Sequence, residues 1–479
     1  MVELKPEDMK DIQGLVVSGY AHLPCVSYVM LRVVDAPAAR GWLSNLVSEV
    51  TTSEGKQDIS SLNIALTYRG LSALGLEKSV LESFSRPFIE GMATPHRSRI
   101  LGDNNDDNTP DKWDWGGNKS EPIDILLLLF AKDEPTLDSV IKNHEAKYQT
   151  GGLDKVVALG AGRQPDIHEH FGFADGLGQP AIEGTFQTKD APAGNVIRAG
   201  EILLSYINDY GKPADSPMVS LASDRNGLLP EPPPPTESNS AQPATRDLGR
   251  NGSYLVFRQL AQHVAKFCQF LDEATLQPDG QLDPAASTKL AAKFVGRWQS
   301  GAPLVMSPDA DSLDLAKADD FAYRDTDERG FKCPIGSHIR RSNPRDSLGP
   351  TAAQARVTAN RHRILRRGRS YGDRPTDRRV DDGVERGLHF LCLNSDIERQ
   401  FEFVQQTWCN NPVFGGLNGE VDPLVGNLTR GDEIFTVQAD PLRTRVHNLE
   451  RFVTVKGGAY FFLPSMSALR YLAALLSPQ

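Results

Sequence analysis

Cysteine is scarce and scattered in this sequence. The five cysteines are odd in number and never form a C-x-x-C pair: Cys25, Cys268, Cys333, Cys392 and Cys409. Disulfide-stapled domains need paired cysteines, and zinc or iron–sulfur sites need clustered thiols at short spacings. The sequence therefore argues against all three kinds of site, and cytoplasmic residence is the default expectation.

Long apolar runs are also missing. The chain begins Met1-Val-Glu-Leu-Lys-Pro-Glu-Asp-Met-Lys10, which has acidic residues and no apolar core segment, so it does not resemble a secretory signal. No stretch reaches the roughly 18 consecutive apolar residues that a membrane-spanning helix requires. We therefore expect no membrane partner.

An excess of positive charge is lacking too. The formal net charge is −10 at pH 7. One segment nevertheless suggests a nucleic-acid patch, because six arginines occur between positions 356 and 369. The acidic balance of the whole chain argues against nucleic acid as a partner.

Apolar residues alternate between strand-like and helix-like segments. Runs of large apolar and β-branched residues predict strands at 26–34, 62–68, 123–131, 200–206, 253–257, 387–393 and 459–463. Helical spacing predicts helices at 37–51, from 70, and at 136–148, 260–276, 396–408 and 465–476. This order recurs in both halves and predicts an α+β fold with two domains of similar topology, 1–190 and 191–479.

Two polar segments interrupt this order. The stretch near 228–252 contains Pro230-Glu-Pro-Pro-Pro-Pro-Thr-Glu-Ser-Asn-Ser240, which predicts an exposed, partly polyproline loop inserted in the second domain. The acidic stretch Asp103–Asp114 lacks the glycine and the glutamate of a calcium-binding loop, because Asn108 and Asp114 stand at those positions. A solvated loop is expected there.

His338 lies at the centre of a distinctive segment, Phe331-Lys-Cys-Pro-Ile-Gly-Ser-His-Ile-Arg-Arg-Ser-Asn-Pro-Arg345. Gly336 allows the backbone to approach another group closely. The segment suits an axial ligand of haem iron, with the cations of Arg340 and Arg341 beside the haem propionates. A purely structural histidine fits the same pattern.

Two further segments carry candidate catalytic groups. Phe171-Gly-Phe-Ala-Asp-Gly-Leu-Gly-Gln-Pro180 places Asp175 where its charge is disfavoured, which suits a group that accepts and returns a proton; an aspartate in a glycine turn fits as well. Asn360-Arg-His-Arg-Ile-Leu-Arg-Arg-Gly-Arg-Ser-Tyr-Gly372 sets Arg366 beside apolar neighbours. A buried arginine there could orient a peroxide and stabilise its developing charge.

Together these segments resemble the dye-decolorizing peroxidase family. Gly172–Gly176 matches its G-x-x-D-G signature, His338 resembles the proximal haem ligand, and Arg366 resembles the distal arginine. Other agreeing segments follow in the expected order: 11–14, 63–71, 387–396, 400–405 and 422–426. The resemblance covers nearly the whole chain and is to the larger, elaborated members. It implies two ferredoxin-like α+β domains, each an antiparallel sheet with helices packed on it, and one haem b per chain held mainly by the C-terminal domain.

The resemblance assigns roles on the proximal side of the haem. His338 would bind the iron, and its other ring nitrogen would donate to a carboxylate, which raises the basicity of the ligand. Asp422 is the expected partner by its position in the motif, with Glu420 as the alternative. Arg340 is a candidate partner of a propionate, or else forms an ordinary salt bridge.

The resemblance also assigns roles on the distal side. Asp175 would move a proton of hydrogen peroxide to the leaving oxygen, and Arg366 would stabilise the developing charge. Leu391 and Leu393 match positions that shape the distal pocket. An aromatic residue often stands at one of these two positions in the family.

Bulky donors do not reach a buried haem, so the family often uses surface tyrosine or tryptophan radicals. Tyr371 and Trp408 lie near positions used in this way, although a buried tryptophan is the preferred interpretation of Trp408. His168 and His170, just before the aspartate motif, are candidates for lining the access route.

The resulting hypothesis is a haem peroxidase that reduces hydrogen peroxide and oxidises dyes, phenols or other aromatic donors in one-electron steps. The alternatives are a haem-processing or chlorite-dismutase-like enzyme, and a haem carrier or sensor without turnover. A carrier needs His338 alone, whereas peroxide turnover needs Asp175 and Arg366. The sequence leaves monomer and homodimer open.

Overall fold

The computed structural model of the chain describes residues 3–163, 166–233, 244–428 and 431–475. The strands are β1 (Cys25–Val33), β2 (Ser60–Leu66), β3 (Ile125–Ala131), β4 (Leu153–Gly162), β5 (Ala181–Ile182), β6 (Val196–Ile197), β7 (Met218–Ser220), β8 (Thr245–Asp247), β9 (Ser253–Gln262), β10 (Leu365–Arg366), β11 (Arg369–Tyr371), β12 (Gly387–Asn394), β13 (Phe435–Val437), β14 (Thr444–Val446) and β15 (Val453–Leu463).

The α-helices are α1 (Ala36–Leu46), α2 (Tyr68–Ala73), α3 (Lys78–Leu81), α4 (Arg86–Glu90), α5 (Pro95–Leu101), α6 (Glu134–Thr150), α7 (Val264–Glu273), α8 (Pro284–Val295), α9 (Arg324–Asp327), α10 (His338–Ser342), α11 (Ala352–Asn360) and α12 (Met466–Ala473). Two adjacent segments are π-helical, Glu398–Glu402 and Val404–Cys409. Among the helices of the described residues, none is both long and apolar enough to cross a membrane.

The first repeat of the fold runs from β1 to β4. Its strands pair antiparallel in the order β4-β1-β3-β2, with α1 between β1 and β2 and α6 between β3 and β4. Asp35 and Asp133 begin these two helices, because their carboxylates accept the backbone N–H groups of Ala38 at 3.0 Å and Thr136 at 2.9 Å. This strand order with two crossover helices is ferredoxin-like.

The C-terminal half repeats the arrangement. Its strands pair antiparallel in the order β15-β9-β12-β11. A long connection containing α7 to α11 separates β9 from β10 and β11, and the π-helical segments lie between β12 and β15. The predicted α+β fold with two ferredoxin-like antiparallel sheets is therefore confirmed.

The two sheets join at both edges. β2 pairs with β15 through Leu66 and Phe462, and β4 pairs with β11 through Gly162 and Ser370. The order β4-β1-β3-β2-β15-β9-β12-β11 thus returns to β4 and closes a ring, which leaves the long strands without free edges. Strands of both halves pair within one ring, so the sheet itself marks no division between domains. The expected boundary near residue 190 stays a prediction.

Side chains alternate between the inside of the ring and the helices outside it. The inward set forms one core that includes Met30, Leu128, Phe257, Leu391, Leu393 and Phe461. The outward set packs with α1, α6 and α12 and includes Leu31, Leu127, Val256, Cys392 and Phe462. This alternation decides which side chains of β12 face the candidate site.

One predicted strand is wrong. Residues 200–206 are buried, but they form a 3-10 turn at Ala199–Glu201 followed by loop. The N–H of Leu204 donates to the carbonyl of Gly252 at 3.0 Å, and Ser205 has a φ of +71°. A short apolar run predicts burial equally well for a strand and for a buried loop, so its pattern did not separate the two.

The two polar segments have different outcomes. In the proline-rich segment, residues 234–243 lie outside the described residues, while β7 and β8 pair at its base. The expected solvated loop at Asp103–Asp114 is confirmed in part: Asp107, Asp111 and Asp114 are exposed, but Asp103 is buried and its carboxylate accepts a hydrogen bond from Arg258 at 2.6 Å. A residue far along the chain covers this end of the loop, which its own polar composition did not indicate.

Candidate active site

His338 is the first residue of α10 and lies against a buried carboxylate. Its Nδ1 is 2.9 Å from Oδ2 of Asp422, while Oδ1 of Asp422 accepts the N–H groups of Leu424 and Val425 at 2.9 Å each. Burial disfavours the charge of Asp422, but His338 and the Val425 N–H favour it more strongly, so the pKa of Asp422 lies below its ordinary value. With Nδ1 engaged, Nε2 of His338 is the nitrogen available to a metal.

The alternative carboxylate, Glu420, is engaged elsewhere. It accepts the N–H of Thr436 at 2.9 Å and the hydroxyl of the same residue at 2.6 Å. Its carbonyl accepts a hydrogen bond from Arg341 at 2.8 Å. The geometry therefore pairs His338 with Asp422 and not with Glu420.

Arg340 points away from this site, which contradicts its expected contact with a propionate. Its guanidinium donates to the carboxylate of Asp327 at 3.1 Å and to the carbonyl of Cys333 at 2.8 Å, and it stacks over Tyr323 at 4.4 Å. Two residues along a helix correspond to a rotation of about 200°. Arg340 and His338 therefore leave opposite faces of α10.

Asp175 is held in a tight turn. Its N–H donates to the carbonyl of Ile167 at 2.9 Å, and its Oδ1 accepts the N–H of Gly176 at 2.6 Å. Gly172 and Gly176 have φ values of +98° and +81°, a conformation that glycine adopts most readily. The glycines of the motif thus fix the carboxylate while leaving its side chain 37% exposed.

Arg366 ends β10 beside this carboxylate. Its N–H donates to Oε1 of Gln179 at 3.0 Å, and its Nη2 donates to the carbonyl of Leu177. Both partners follow Asp175 in the chain, so these contacts join the aspartate and arginine segments. Nη1 of Arg366 lies 4.0 Å from Oδ1 of Asp175, a separation that leaves both groups available to a small ligand.

One cavity of about 320 Å³ brings the three segments together, since His338, Asp175 and Arg366 all line it. Its apolar walls include Phe171, Phe173, Leu388, Phe390, Phe401 and Val455. Its further arginines include Arg297 and Arg345, which share the carboxylate of Asp319 at 2.7 and 2.6 Å, and Arg363. The cavity therefore combines a histidine, an apolar interior and a group of arginines with one carboxylate among them.

These residues fit a haem group, which needs an axial ligand, apolar contacts with its faces and cations for its propionates. Arg363 is buried and donates to the carbonyl of Gly178 at 3.2 Å, and no described carboxylate pairs with it. Burial lowers the pKa of Arg363 to about 10. A propionate would supply its missing counter-charge, and Arg345 lines the same cavity.

Two curated relatives show the family. A dye-decolorizing peroxidase of Mycena epipterygia is 31% identical over 490 residues, which cover 93% of this chain and 84% of the relative. Another, from Exidia glandulosa, is 31% identical over 490 residues, which cover 96% of this chain and 86% of the relative. The chain belongs to the dye-decolorizing peroxidase family. No family model matches the sequence.

Solved dye-decolorizing peroxidases share the fold over its whole length. An ancestral D-type enzyme has a TM-score of 0.77 at 29% identity, covering 98% of this chain and 99% of its own. The enzyme of Auricularia auricula-judae has a TM-score of 0.77 at 25% identity, and the match covers 99% of this chain and 100% of that enzyme's chain. Family members are haem enzymes that use hydrogen peroxide, so the chain is an oxidoreductase of the peroxidase class.

The leucines expected in the distal pocket of this peroxidase face the other way. Leu391 and Leu393 are fully buried in the core inside the ring. Leu388 and Phe390 of the same strand line the cavity instead. Because side chains alternate along a strand, the motif indicated the correct strand but the wrong face.

Tyr371 and Trp408 differ in their exposure. Tyr371 is half-buried, and its ring stacks on His389 with 4.5 Å between centroids. Trp408 is 5% exposed and packs edge-on against His362 and Phe403. Tyr371 therefore reaches the surface, while Trp408 is a core residue.

The two histidines before the aspartate motif, His168 and His170, lie in different surroundings. His168 lines a second cavity of about 260 Å³, which shares Asp175 and Arg366 with the first. His170 is buried, with Nε2 at 2.8 Å from the carbonyl of Tyr371, and burial lowers its pKa. The structure places His168 beside the distal residues and His170 in a packing position.

Sequence reasoning missed Glu169. Its carboxylate lines the main cavity and accepts the N–H groups of Phe171 and Phe173 at 2.8 Å each and the amide of Gln262 at 2.6 Å. Burial raises the pKa of Glu169 despite these hydrogen bonds. A glutamate between two histidines was visible in the sequence, but its position in the cavity depends on the turn that brings it back towards Asp175.

Proposed function

We propose that the chain reduces hydrogen peroxide at haem b and oxidises dyes, phenols and other aromatic donors in one-electron steps. The observation that carries this proposal is the convergence of Asp175, His338 and Arg366 on one cavity. A structural relative, with 26% identity and a TM-score of 0.76, was solved in complex with 2,6-dimethoxyphenol, which supports phenolic donors.

On the proximal side, His338 would bind the iron through Nε2 while Asp422 holds the proton on Nδ1. The 2.9 Å hydrogen bond to this carboxylate raises the basicity of the imidazole. Arg345 and Arg363 would hold the propionates, the role first expected of Arg340. Bound there, haem supplies the redox centre through which electrons pass from the donor to peroxide.

On the distal side, Asp175 and Arg366 would act on peroxide itself. The carboxylate of Asp175 takes a proton from one peroxide oxygen and returns it to the other, which departs as water. The guanidinium of Arg366 orients the peroxide and stabilises the negative charge on the departing oxygen. Their contacts with Gly176 and Leu177 keep both groups in place before peroxide arrives.

Bulky donors would be oxidised at Tyr371. Its half-buried ring stacks on His389 inside the ring of strands, and its hydroxyl donates to Glu385 at 3.4 Å. Burial lowers the pKa of His389 to about 3, so this neighbour stays neutral. The burial of Trp408 argues against a second surface site at that residue.

The proposal includes a cytoplasmic location and no nucleic-acid partner. All five cysteines are free, which suits a reducing compartment. Within the arginine-rich segment, Arg363, Arg367 and Arg369 are buried and Arg366 lines the cavity. These arginines therefore do not form a basic surface for phosphates.

Two substitutions on the distal side test turnover against haem carriage. In haem-loaded protein, we expect Asp175→Ala and Arg366→Leu to keep the Soret band but to lose roughly two to four orders of magnitude in peroxide turnover. Asp279→Ala removes an exposed carboxylate outside the cavity and should change nothing. Wild-type turnover in both distal variants would show that the distal assignment is wrong, whereas no turnover in the haem-loaded wild-type protein would leave a haem carrier as the function.

A further inference from the structure

The second cavity beside the distal residues is lined by cations. It contains about 260 Å³ and shares Asp175 and Arg366 with the main cavity. Its walls also carry Arg163, Arg367 and Arg369. Among the described residues that line it, Asp175 is the one carboxylate.

The protein does not neutralise these guanidiniums. Arg367 and Arg369 are buried and donate to backbone carbonyls, including Leu15 at 2.8 Å and Tyr20 at 3.2 Å respectively. In the part of the chain that the structure describes, no carboxylate forms an ion pair with Arg163, Arg367 or Arg369, and Nε of Arg369 has no hydrogen-bond partner. A buried charge without a counter-charge is unfavourable, and an anion would relieve that cost.

The nearby acidic groups are already engaged. Asp166 forms an ion pair with Arg374 at 2.5 Å and lies 3.4 Å from His168, while Asp175 stands 4.0 Å from Arg366. Burial lowers the pKa of Arg367 only to about 10, so this guanidinium remains charged at neutral pH. Three of the four arginines that line the cavity therefore form no ion pair with a carboxylate.

We propose that this cavity binds a small anion, a carboxylate or an oxyanion, next to Asp175 and Arg366. Passage of hydrogen peroxide does not require such a concentration of positive charge, because peroxide is neutral. Planar guanidiniums match carboxylates and oxyanions through paired N–H groups. The anion is either free in solution or the acidic group of an aromatic donor, and only the second case rests on the proposed peroxidase activity.

Direct binding measurements on the haem-loaded protein test this site. The probes are sodium formate, sodium benzoate and the neutral benzamide, with the dissociation constant measured by titration calorimetry. We expect at least one anion to bind and benzamide not to bind. Arg163 lines the second cavity but not the main one, so substitutions there separate this site from anion binding at the haem.

Removing the charge of Arg163 should weaken anion binding. We expect Arg163→Gln to raise the dissociation constant roughly five- to tenfold and Arg163→Glu to abolish binding, as for loss of a partly exposed charge-assisted contact. Arg225→Gln removes an exposed arginine outside both cavities and should keep the wild-type value. A wild-type melting temperature in each variant shows that the fold is intact.

The outcomes separate the two sources of the anion. Tighter binding of benzoate than of formate would assign the cavity to the acidic group of an aromatic donor, and the reverse order to a free small anion. No anion binding to the wild-type protein, equal binding of benzamide and benzoate, or an affinity unchanged in Arg163→Glu would overturn the proposal. None of these measurements depends on peroxide turnover, so a failed peroxidase assay would not be mistaken for a failed anion site.

Discussion

Asp422 accepts the Nδ1 proton of His338 at 2.9 Å, although the two residues are 84 positions apart. The carboxylate is fully buried and is also held by two backbone N–H groups. These contacts fix both the position and the proton of the imidazole. The protein alone therefore orients the ring for a ligand on Nε2.

The first prediction concerns this pair. Asp422→Asn replaces a carboxylate acceptor with a neutral amide and makes His338 a weaker electron donor. We expect a higher iron reduction potential and turnover lower by roughly ten- to a hundredfold. Spectroelectrochemistry and steady-state kinetics measure these two effects. Glu420→Gln is the control and should leave the potential unchanged, because Glu420 contacts Thr436; equal potentials in all three proteins would contradict the prediction.

The alternation along β12 gives a second prediction. Phe390→Ala should enlarge the main cavity and alter the Soret band and the KM for peroxide, because Phe390 lines that cavity. Leu391→Ala should leave the spectrum unchanged but cost about 2–5 kcal/mol in the free energy of unfolding, as for a large-to-small core substitution. Urea unfolding of both variants measures the loss of stability, and their absorption spectra measure the change at the haem. A spectral change in Leu391→Ala alone would reverse the assigned faces.

We expect Arg340 to stabilise the fold and Arg363 to stabilise bound haem. Arg340→Met leaves buried Asp327 without its cation, so we expect a loss of roughly 3 kcal/mol in stability with unchanged haem affinity. Arg363→Met should instead weaken haem binding, because its guanidinium has only the Gly178 carbonyl as a hydrogen-bonding partner in the described chain. Haem titration of the apoprotein, together with denaturant unfolding, distinguishes them. Weaker haem binding in Arg340→Met alone would restore the propionate role of that residue.

Glu201 should make stability depend on pH. Its buried carboxyl accepts hydrogen bonds from Arg399 at 2.6 Å and from the N–H of Asp209 at 2.8 Å. Burial raises its pKa from 4.5 to about 7, with Arg399 opposing the shift. The folded state therefore binds this proton more tightly than the unfolded state, so the stabilisation is complete below about pH 4.5 and disappears as pH rises through about 7.

The corresponding measurement is urea unfolding across this pH range. As pH rises over this range, the contribution of Glu201 should lower the free energy of unfolding of the wild-type protein by up to roughly 3 kcal/mol. The free energy of unfolding of Glu201→Gln should fall by less. Glu273→Gln, at an exposed position, should keep the wild-type slope. Identical slopes in Glu201→Gln and wild type would show that this carboxyl does not control the pH dependence.

Tyr371 and Trp408 give the last prediction. Tyr371→Phe removes the phenol needed for a tyrosyl radical, so turnover of bulky dyes should fall severalfold while small phenols are oxidised as before. Trp408→Phe should change neither rate, because Trp408 is buried. Electron paramagnetic resonance after peroxide addition should lose its tyrosyl signal in the first variant. A lost signal in Trp408→Phe would contradict the exposure argument.

Much of the site could be predicted because its motifs encode local geometry. Gly172 and Gly176 permit the positive φ values that hold Asp175, and this requirement is visible in the residues themselves. The order of apolar segments likewise predicted the α+β fold. The resemblance of the motifs around Asp175, Arg366, His338 and Asp422 to the peroxidase family implied that these residues meet.

Other features depended on packing between distant parts of the chain. The sequence by itself determined which residue types occur along β12 and α10. The tertiary structure decided that Phe390 faces the cavity and Leu391 faces the core, and that Arg340 donates to Asp327. It also closed the ring through Leu66 and Phe462 and buried Arg367 and Arg369 of the second cavity. The physical reason is that local patterns specify the backbone of one element, whereas the neighbour that covers each face comes from residues far away in sequence.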